Sequence, residues 1–145
     1  MNKPFEFVFR VRYSECDAQG VVFNARYGDY VDLAMTEFLR AALGGYSELV
    51  RMGYETQVVR LLTEWKGPAR FDEVLKTTVQ VLRFGNTSFT LGLVFSNVAS
   101  EVTVATSEIT YVLVDATGFS KVPVPDSLKS ALLEGACGKS VNQAG

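Results

Sequence analysis

The sequence predicts a two-layer α+β fold, with one long helix packed across an antiparallel sheet of five strands. Three patterns predict it. Residues 5–13 alternate apolar and polar with period two, residues 24–43 switch to spacings of three and four, and residues 58–115 return to β-rich runs separated by turn residues. The order is β-α-β-β-β-β with a short helix near the C-terminus, which places one helix layer on one sheet.

Each element follows from its residues. Phe5, Phe7, Phe9, Val11 and Tyr13 share one face of the first strand, and Glu6, Val8, Arg10 and Arg12 share the other. Ser14 to Val21 read as a loop. Tyr27, Tyr30, Val31, Ala34, Phe38, Leu39 and Ala42 form an apolar stripe at helical spacing. Asn24 is the expected N-cap of that helix, and Gly44-Gly45 its stop. Tyr46 to Gln57 is a connection with room for one helical turn at Ser47 to Met52. Strands are expected at Val58–Trp65, Val74–Phe84, Phe89–Ser96 and Val102–Asp115, with turns at Gly85-Asn86, Asn97–Ser100 and Asp115–Gly118. Asp126 is placed to cap a last helix through Leu132, stopped at Gly135. Residues 1–137 read as a single domain and 138–145 as a mobile tail. One helix cannot cover both faces of this apolar sheet, so a partner subunit is expected against an edge or face.

Bulk properties exclude several classes. A chain of 145 residues that is 48% hydrophobic can bury a full core. Its formal net charge of -2 argues against a nucleic-acid partner or an anionic membrane, since both select basic surfaces. Cys16 and Cys137 lie far apart without metal-ligand spacing, so no metal is expected and the thiols read as reduced in a cytoplasmic protein. The N-terminus lacks a signal-peptide pattern, and no apolar run is long enough to span a bilayer.

The chain contains no histidine. Acid, base or nucleophile chemistry must therefore run on carboxylates, hydroxyls, thiols or amines. Asp17 is the leading candidate, because its loop, Asp17-Ala18-Gln19-Gly20-Val21-Val22-Phe23-Asn24, leads directly into the start of the long helix. The first N–H groups of a helix are unpaired and carry a partial positive charge. They can hold a carbonyl oxygen as it gains negative charge, while a nearby carboxylate attacks the carbon or takes a proton from water. The other reading of Asp17 is a turn residue bonded to its own backbone.

Strand, Asp-x-x-Gly-Val-Val-x-Asn-Ala-Arg-Tyr, then a long helix resembles the hotdog-fold acyl-CoA thioesterases of the 4-hydroxybenzoyl-CoA thioesterase type. The resemblance spans residues 5–128. Lys66–Asp72, Asn86-Thr87-Ser88-Phe89 and Pro123-Val124-Pro125 fall in the order that family shows. It implies hydrolysis of an acyl-CoA thioester, with Asp17 as nucleophile or base and the backbone N–H at Asn24 on the carbonyl oxygen. Coenzyme A is then part of the substrate, and no other cofactor is implied. It also implies a dimer, or a tetramer built from dimers, with the site at the subunit interface. Gly20 and Tyr27 flank that site. Asn24, Gly28 and Asp32 fall on one helical stripe, and the resemblance associates Asp32, with Tyr46, to the hydroxyl of an aromatic acyl group. Arg83 and Ser88 flank the turn the family uses near the nucleotide, although the basic run of the aromatic enzymes is thinner here. Glu37 and Glu64 are rival carboxylates. Cys16 has no histidine to activate it. A non-catalytic acyl-CoA or acyl-carrier binding module on the same fold is the alternative. Hotdog hydratases typically use a histidine absent from this chain, and cone-shaped isomerases usually open with helices.

Overall fold

A computed structural model describes residues 3–145. The strands are β1 (Phe5–Arg10), β2 (Tyr54–Trp65), β3 (Val74–Phe84), β4 (Ser88–Asn97), β5 (Thr103–Asp115) and β6 (Ser140–Asn142). The helices are α1 (Arg26–Leu43), α2 (Tyr46–Arg51) and α3 (Asp126–Glu134). The sheet runs β2-β5-β4-β3-β1-β6. All neighbours are antiparallel except β1 and β6, which pair in parallel.

The long helix forms where its stripe required. Tyr27, Tyr30, Val31, Ala34, Met35, Phe38 and Leu39 are all buried against the sheet. Each such side chain contributes roughly 1.5–3 kcal/mol when fully buried. The stop is also as read. Gly44 takes φ 95°, and its N–H donates to the carbonyls of Arg40 and Leu39. Only glycine adopts that left-handed turn without steric cost. Beneath the helix, Phe5, Phe7 and Phe9 alternate inward from β1, and Leu91, Leu93 and Phe95 from β4.

Four expectations change. The sheet has six strands rather than five, because the tail does not end free: Ser140–Asn142 pair with Glu6–Val8 along the outer edge of β1. β2 begins at Tyr54, within the segment read as a connection, and pairs through Tyr54↔Asp115. Asp126 does not cap α3. It is the first residue inside that helix, and Pro125 takes the cap position with no side-chain bond. Asn24 does not cap α1 either. Ala25 stands there, without a side-chain bond, because a turn delivers the Arg26 N–H to the Phe23 carbonyl at 2.9 Å and the Tyr27 N–H to the Asn24 carbonyl at 3.3 Å. Main-chain oxygens thus take the donors that the Asn24 side chain was expected to accept.

The helix covers β1, β3, β4 and β5 but leaves β2 overhanging. Val58, Leu61, Thr63 and Trp65 pair with Tyr111, Ile109, Ser107 and Ala105. Those partners are buried, whereas Val58, Leu61 and Trp65 are exposed. β2 is thus an edge strand with an exposed apolar patch, touched by α1 where Tyr27 meets Trp65 and Gly28 approaches Leu61.

Candidate active site

The segment after β1 builds the site. The chain leaves the sheet at Arg10, makes a single turn at Tyr13–Glu15, and folds back as a short hairpin. The Phe23 N–H donates to the Glu15 carbonyl at 2.9 Å, and the Asp17 N–H donates to the Val21 carbonyl at 2.9 Å. Between these rungs Cys16 bridges Val22. Gly20 closes the tip at φ 77°, its N–H reaching the Asp17 carbonyl at 3.0 Å. The returning arm is tied to the loop after β2 by the Val22 N–H on the Ala69 carbonyl at 2.8 Å. It then runs into α1.

Asp17 is half-buried at this tip. Its Oδ1 accepts the Gln19 N–H at 2.8 Å, so the turn bond of the alternative reading is present. Among the described residues nothing in the chain bonds or pairs with Oδ2. The carboxylate lines a cavity of about 580 Å³ together with Tyr13, Ser14, Gly20 and Phe71. The rings of Tyr13 and Phe71 meet edge-on there, with centroids 5.6 Å apart.

Asn24 lies at the other end of the returning arm. Its side chain is exposed, and among the described residues neither its N–H nor that of Ala25 has a backbone acceptor. Both residues line a second groove, of about 390 Å³, with Gly28 of α1 and Leu61, Thr63 and Trp65 of β2. A Cβ on Gly28 would stand 4.0 Å from Leu61 Cδ2, so glycine widens the groove without being required by its backbone. Within one chain, then, Asp17 and the helix-start residues line different openings rather than one shared cavity. The hairpin explains the offset: Glu15, not Asp17, stands across from Phe23.

The remaining candidates divide. Tyr27 is 2% exposed, packed edge-on against Trp65, Tyr30 and Phe95. It forms the groove floor, and burial with the nearby Glu73 charge pushes its phenol up to about 12. Asp32 is exposed, one turn beyond Gly28. The Tyr46 hydroxyl accepts the Thr56 N–H at 3.2 Å. Both lie close enough to Tyr111 for their charges, after burial, to hold its phenol well above the usual tyrosine range. Tyr111 of β5, which sequence reasoning did not single out, is buried and stacks on Phe89. Arg83 is not brought to the site. It sits on the face of the sheet away from α1, 3.4 Å from Glu108, which Arg60 also reaches at 3.4 Å. Ser88 is half-buried at the start of β4, its carbonyl accepting the Gly85 N–H at 2.8 Å. Glu37 pairs with Arg40 at 3.3 Å. The Cys16 thiol is pushed up by burial, then by Glu15 and Asp17, which disfavours a nucleophilic thiolate.

Residues 11–132 match the thioesterase-like superfamily. The chain belongs to that superfamily. The enzyme class read from the sequence, a thioesterase, is the class of this family. A putative esterase of Aquifex aeolicus is 32% identical over 91 residues, 63% of this chain and 71% of that protein. An acyl-CoA thioester hydrolase of Escherichia coli, YbgC, is 31% identical over 84 residues, 58% of this chain and 63% of that protein, just under two thirds of its length. Among solved structures, a hypothetical protein from Aquifex aeolicus superposes with a TM-score of 0.81 at 27% identity, covering 89% of this chain and 99% of that one. The probable thioesterase YbaW of Escherichia coli superposes at 0.80 with 21% identity, covering 90% and 98%, and shows the hotdog fold. Among the described residues no helix is long and apolar enough to cross a membrane.

Glu15 was not singled out as a site residue. Its carboxylate is the most enclosed feature beside the hairpin, with a side chain 12% exposed. Oε1 accepts the Tyr30 hydroxyl at 2.9 Å and the Arg12 N–H at 2.8 Å. A hydrogen bond to a charged acceptor contributes about 1.5–3 kcal/mol. Burial, then the bond to Glu15, holds the Tyr30 phenol well above its ordinary range, so it stays a donor. No local sequence signal could reveal this pair, whose members lie fifteen positions apart on different elements.

Proposed function

We propose that this thioesterase hydrolyses a small acyl-CoA thioester, using Asp17 as nucleophile or base and the N–H groups of Asn24 and Ala25 as the oxyanion donors. One observation supports this above others: a half-buried carboxylate with a free Oδ2 sits on a hairpin whose returning arm ends in two backbone donors without backbone acceptors. The named activity of the Escherichia coli relative agrees with a coenzyme A ester as substrate.

The chemistry balances simply. Attack by Asp17 on the thioester carbon forms a mixed anhydride and expels the coenzyme A thiolate, which takes up a proton. Water then cleaves the anhydride, releasing the acid and restoring the carboxylate. If Asp17 acts as base instead, it takes the proton from an attacking water and passes it to the leaving sulfur. Either route builds charge on the carbonyl oxygen, where one preorganised donor is worth about 3–4 kcal/mol.

A homodimer, or a tetramer built from dimers, completes this reading. Leu61, Leu62, Thr63 and Trp65 of β2 form one wall of the groove, Val58 and Val59 extend the exposed apolar patch along the strand, and a second copy paired along that free edge would roof it. An aromatic hydroxyacyl group is the preferred substrate. Trp65 and Tyr27 would flank its ring, and Asp32, Tyr46 and Tyr111 supply polar partners for its hydroxyl. Thiol release from a panel of aromatic and aliphatic acyl-CoAs tests the proposal. Hydroxybenzoyl-type esters are expected to turn over fastest. Equal rates for unbranched aliphatic esters would remove the aromatic assignment, and no thiol release from any ester would leave a binding module.

A further inference from the structure

We propose that Glu15 and Tyr30 form a positioning pair for Asp17, a device that fixes the acid-bearing hairpin against the first turns of α1. The inference rests on the reading of Asp17 as the reacting carboxylate. The hairpin has its root at Glu15. That residue's carbonyl accepts the Phe23 N–H at 2.9 Å, the rung immediately before the Asn24 donor. Its own N–H donates to the Arg12 carbonyl at 3.0 Å. Its carboxylate closes the same turn through the Arg12 N–H and anchors it to α1 through the Tyr30 hydroxyl.

Tyr30 cannot yield. It is 1% exposed and held by the rings of Phe9, at 4.5 Å between centroids, and of Tyr27, at 5.5 Å. The helix therefore presents a fixed hydroxyl, and the hairpin root takes its place from it. Asp17 lies two residues past that root and Asn24 one residue past its partner Phe23. The spacing between acid and oxyanion donors is thus set at the Glu15–Phe23 rung, by a side chain that touches neither. A second tie, the Arg26 guanidinium on the Ser14 carbonyl, is long at 3.4 Å and partly exposed, so it does not substitute for the first. Misplacing a reacting group by about 1 Å typically costs up to a hundredfold in rate. A slack hairpin should therefore slow the chemical step without weakening substrate binding.

The experiment compares steady-state thiol release by five full-length variants, each checked for melting temperature and assayed well below it. Tyr30→Phe keeps the packed ring and removes only the hydroxyl, so it is expected to lower kcat about ten- to hundredfold with KM within about threefold. Glu15→Ala should lose as much or more. Glu15→Gln keeps an oxygen for both donors and should return kcat to within about threefold of wild type. In an Asp17→Asn background, Tyr30→Phe should add no further loss, since there is no acid left to position. A structural role alone would lower melting temperature and leave kcat unchanged in both backgrounds, so the two substitutions would combine additively. Tyr30→Phe with wild-type kcat overturns the proposal, as does Glu15→Gln no better than Glu15→Ala. If Asp17→Asn is inactive while Tyr30→Phe is normal, only the positioning role falls. If Asp17→Asn is itself active, the assignment of the acid falls and takes the positioning role with it.

Discussion

Replacing Asp17 by asparagine isolates the carboxylate's chemistry from its structural bond. Asn keeps an oxygen where Oδ1 accepts the Gln19 N–H, and no ion pair is lost, because none engages Asp17 among the described residues. Stability should therefore change by no more than about 0.5 kcal/mol. The reaction loses its nucleophile or base, typically worth about 10²- to 10⁴-fold, or roughly 3–5 kcal/mol at 1.36 kcal/mol per decade. The oxyanion donors at Asn24 and Ala25 remain, so activity should fall to a measurable residue rather than to the solution rate. Asp17→Ala supplies the contrast. It removes the same chemistry and also the turn bond, about 0.5–1.5 kcal/mol, so its melting point should fall by a few degrees while its kcat matches that of Asp17→Asn. The assay is thiol release at saturating ester, beside thermal melts of all three proteins. Asp17→Asn with kcat/KM within about threefold of wild type would refute the assignment. If only Asp17→Ala lost activity, the residue would be a turn-former and nothing more.

Three further outcomes follow from the packing. Thr77 is completely buried and its Oγ1 has no hydrogen-bond partner, so Thr77→Val should stabilise by about 1 kcal/mol in chemical denaturation, and a loss of stability would show that the hydroxyl is satisfied in solution. Tyr27, Tyr30 and Tyr111 all have phenols raised above the ordinary value of 10, to about 12 for Tyr27. The unfolded chain therefore ionises first, and the stability these residues contribute is full below pH 10 and lost as pH rises through 12. Each costs about 1.4 kcal/mol per pH unit in that window, and a phenolate titration resolved by residue should show these three tyrosines ionising only as the fold melts; all three ionising near pH 10 with the fold intact would contradict this. Val59 stands unpaired at a register shift in β2 and is exposed. Val59→Lys is expected to halve the particle mass by light scattering and to lower activity with it, and an unchanged mass would place any subunit contact elsewhere.

Much of the fold was legible because burial on one face writes a period into the chain. The α1 stripe and the β1 alternation are of this kind, and both fail only where the chain departs from regular geometry. Tyr13 continues the β1 pattern in sequence yet is 78% exposed, since the strand ends at Arg10 and the next turn swings it outward. Tyr54–Gln57 and Ser140–Asn142 carry no alternation. They are strands only because β5 and β1 offer open edges, which is information held in distant residues. The site divides in the same way. Asp17 was singled out because its loop leads into a helix. The turn that displaces Asn24 from its cap was invisible, because Phe23 and Asn24 contribute only main-chain carbonyls to it. Glu15 and Tyr30 were invisible as a pair because their contact depends on α1 being docked, and the Arg83–Glu108 ion pair across β3 and β5 was equally out of reach, because sequence adjacency to a turn says nothing about which face of a sheet a side chain occupies.

The parallel strand β6 gives the sheet two unlike margins. One side is closed by the three residues of β6; the other is the open edge of β2, which carries the exposed Val58, Val59, Leu61, Leu62 and Trp65. If two copies join along β2 as proposed, what then faces outward at both extremities is β6, and growth by that route would stop at a pair. Removing Ser140–Asn142 would bare the edge of β1 and give such a pair a second margin on which to grow.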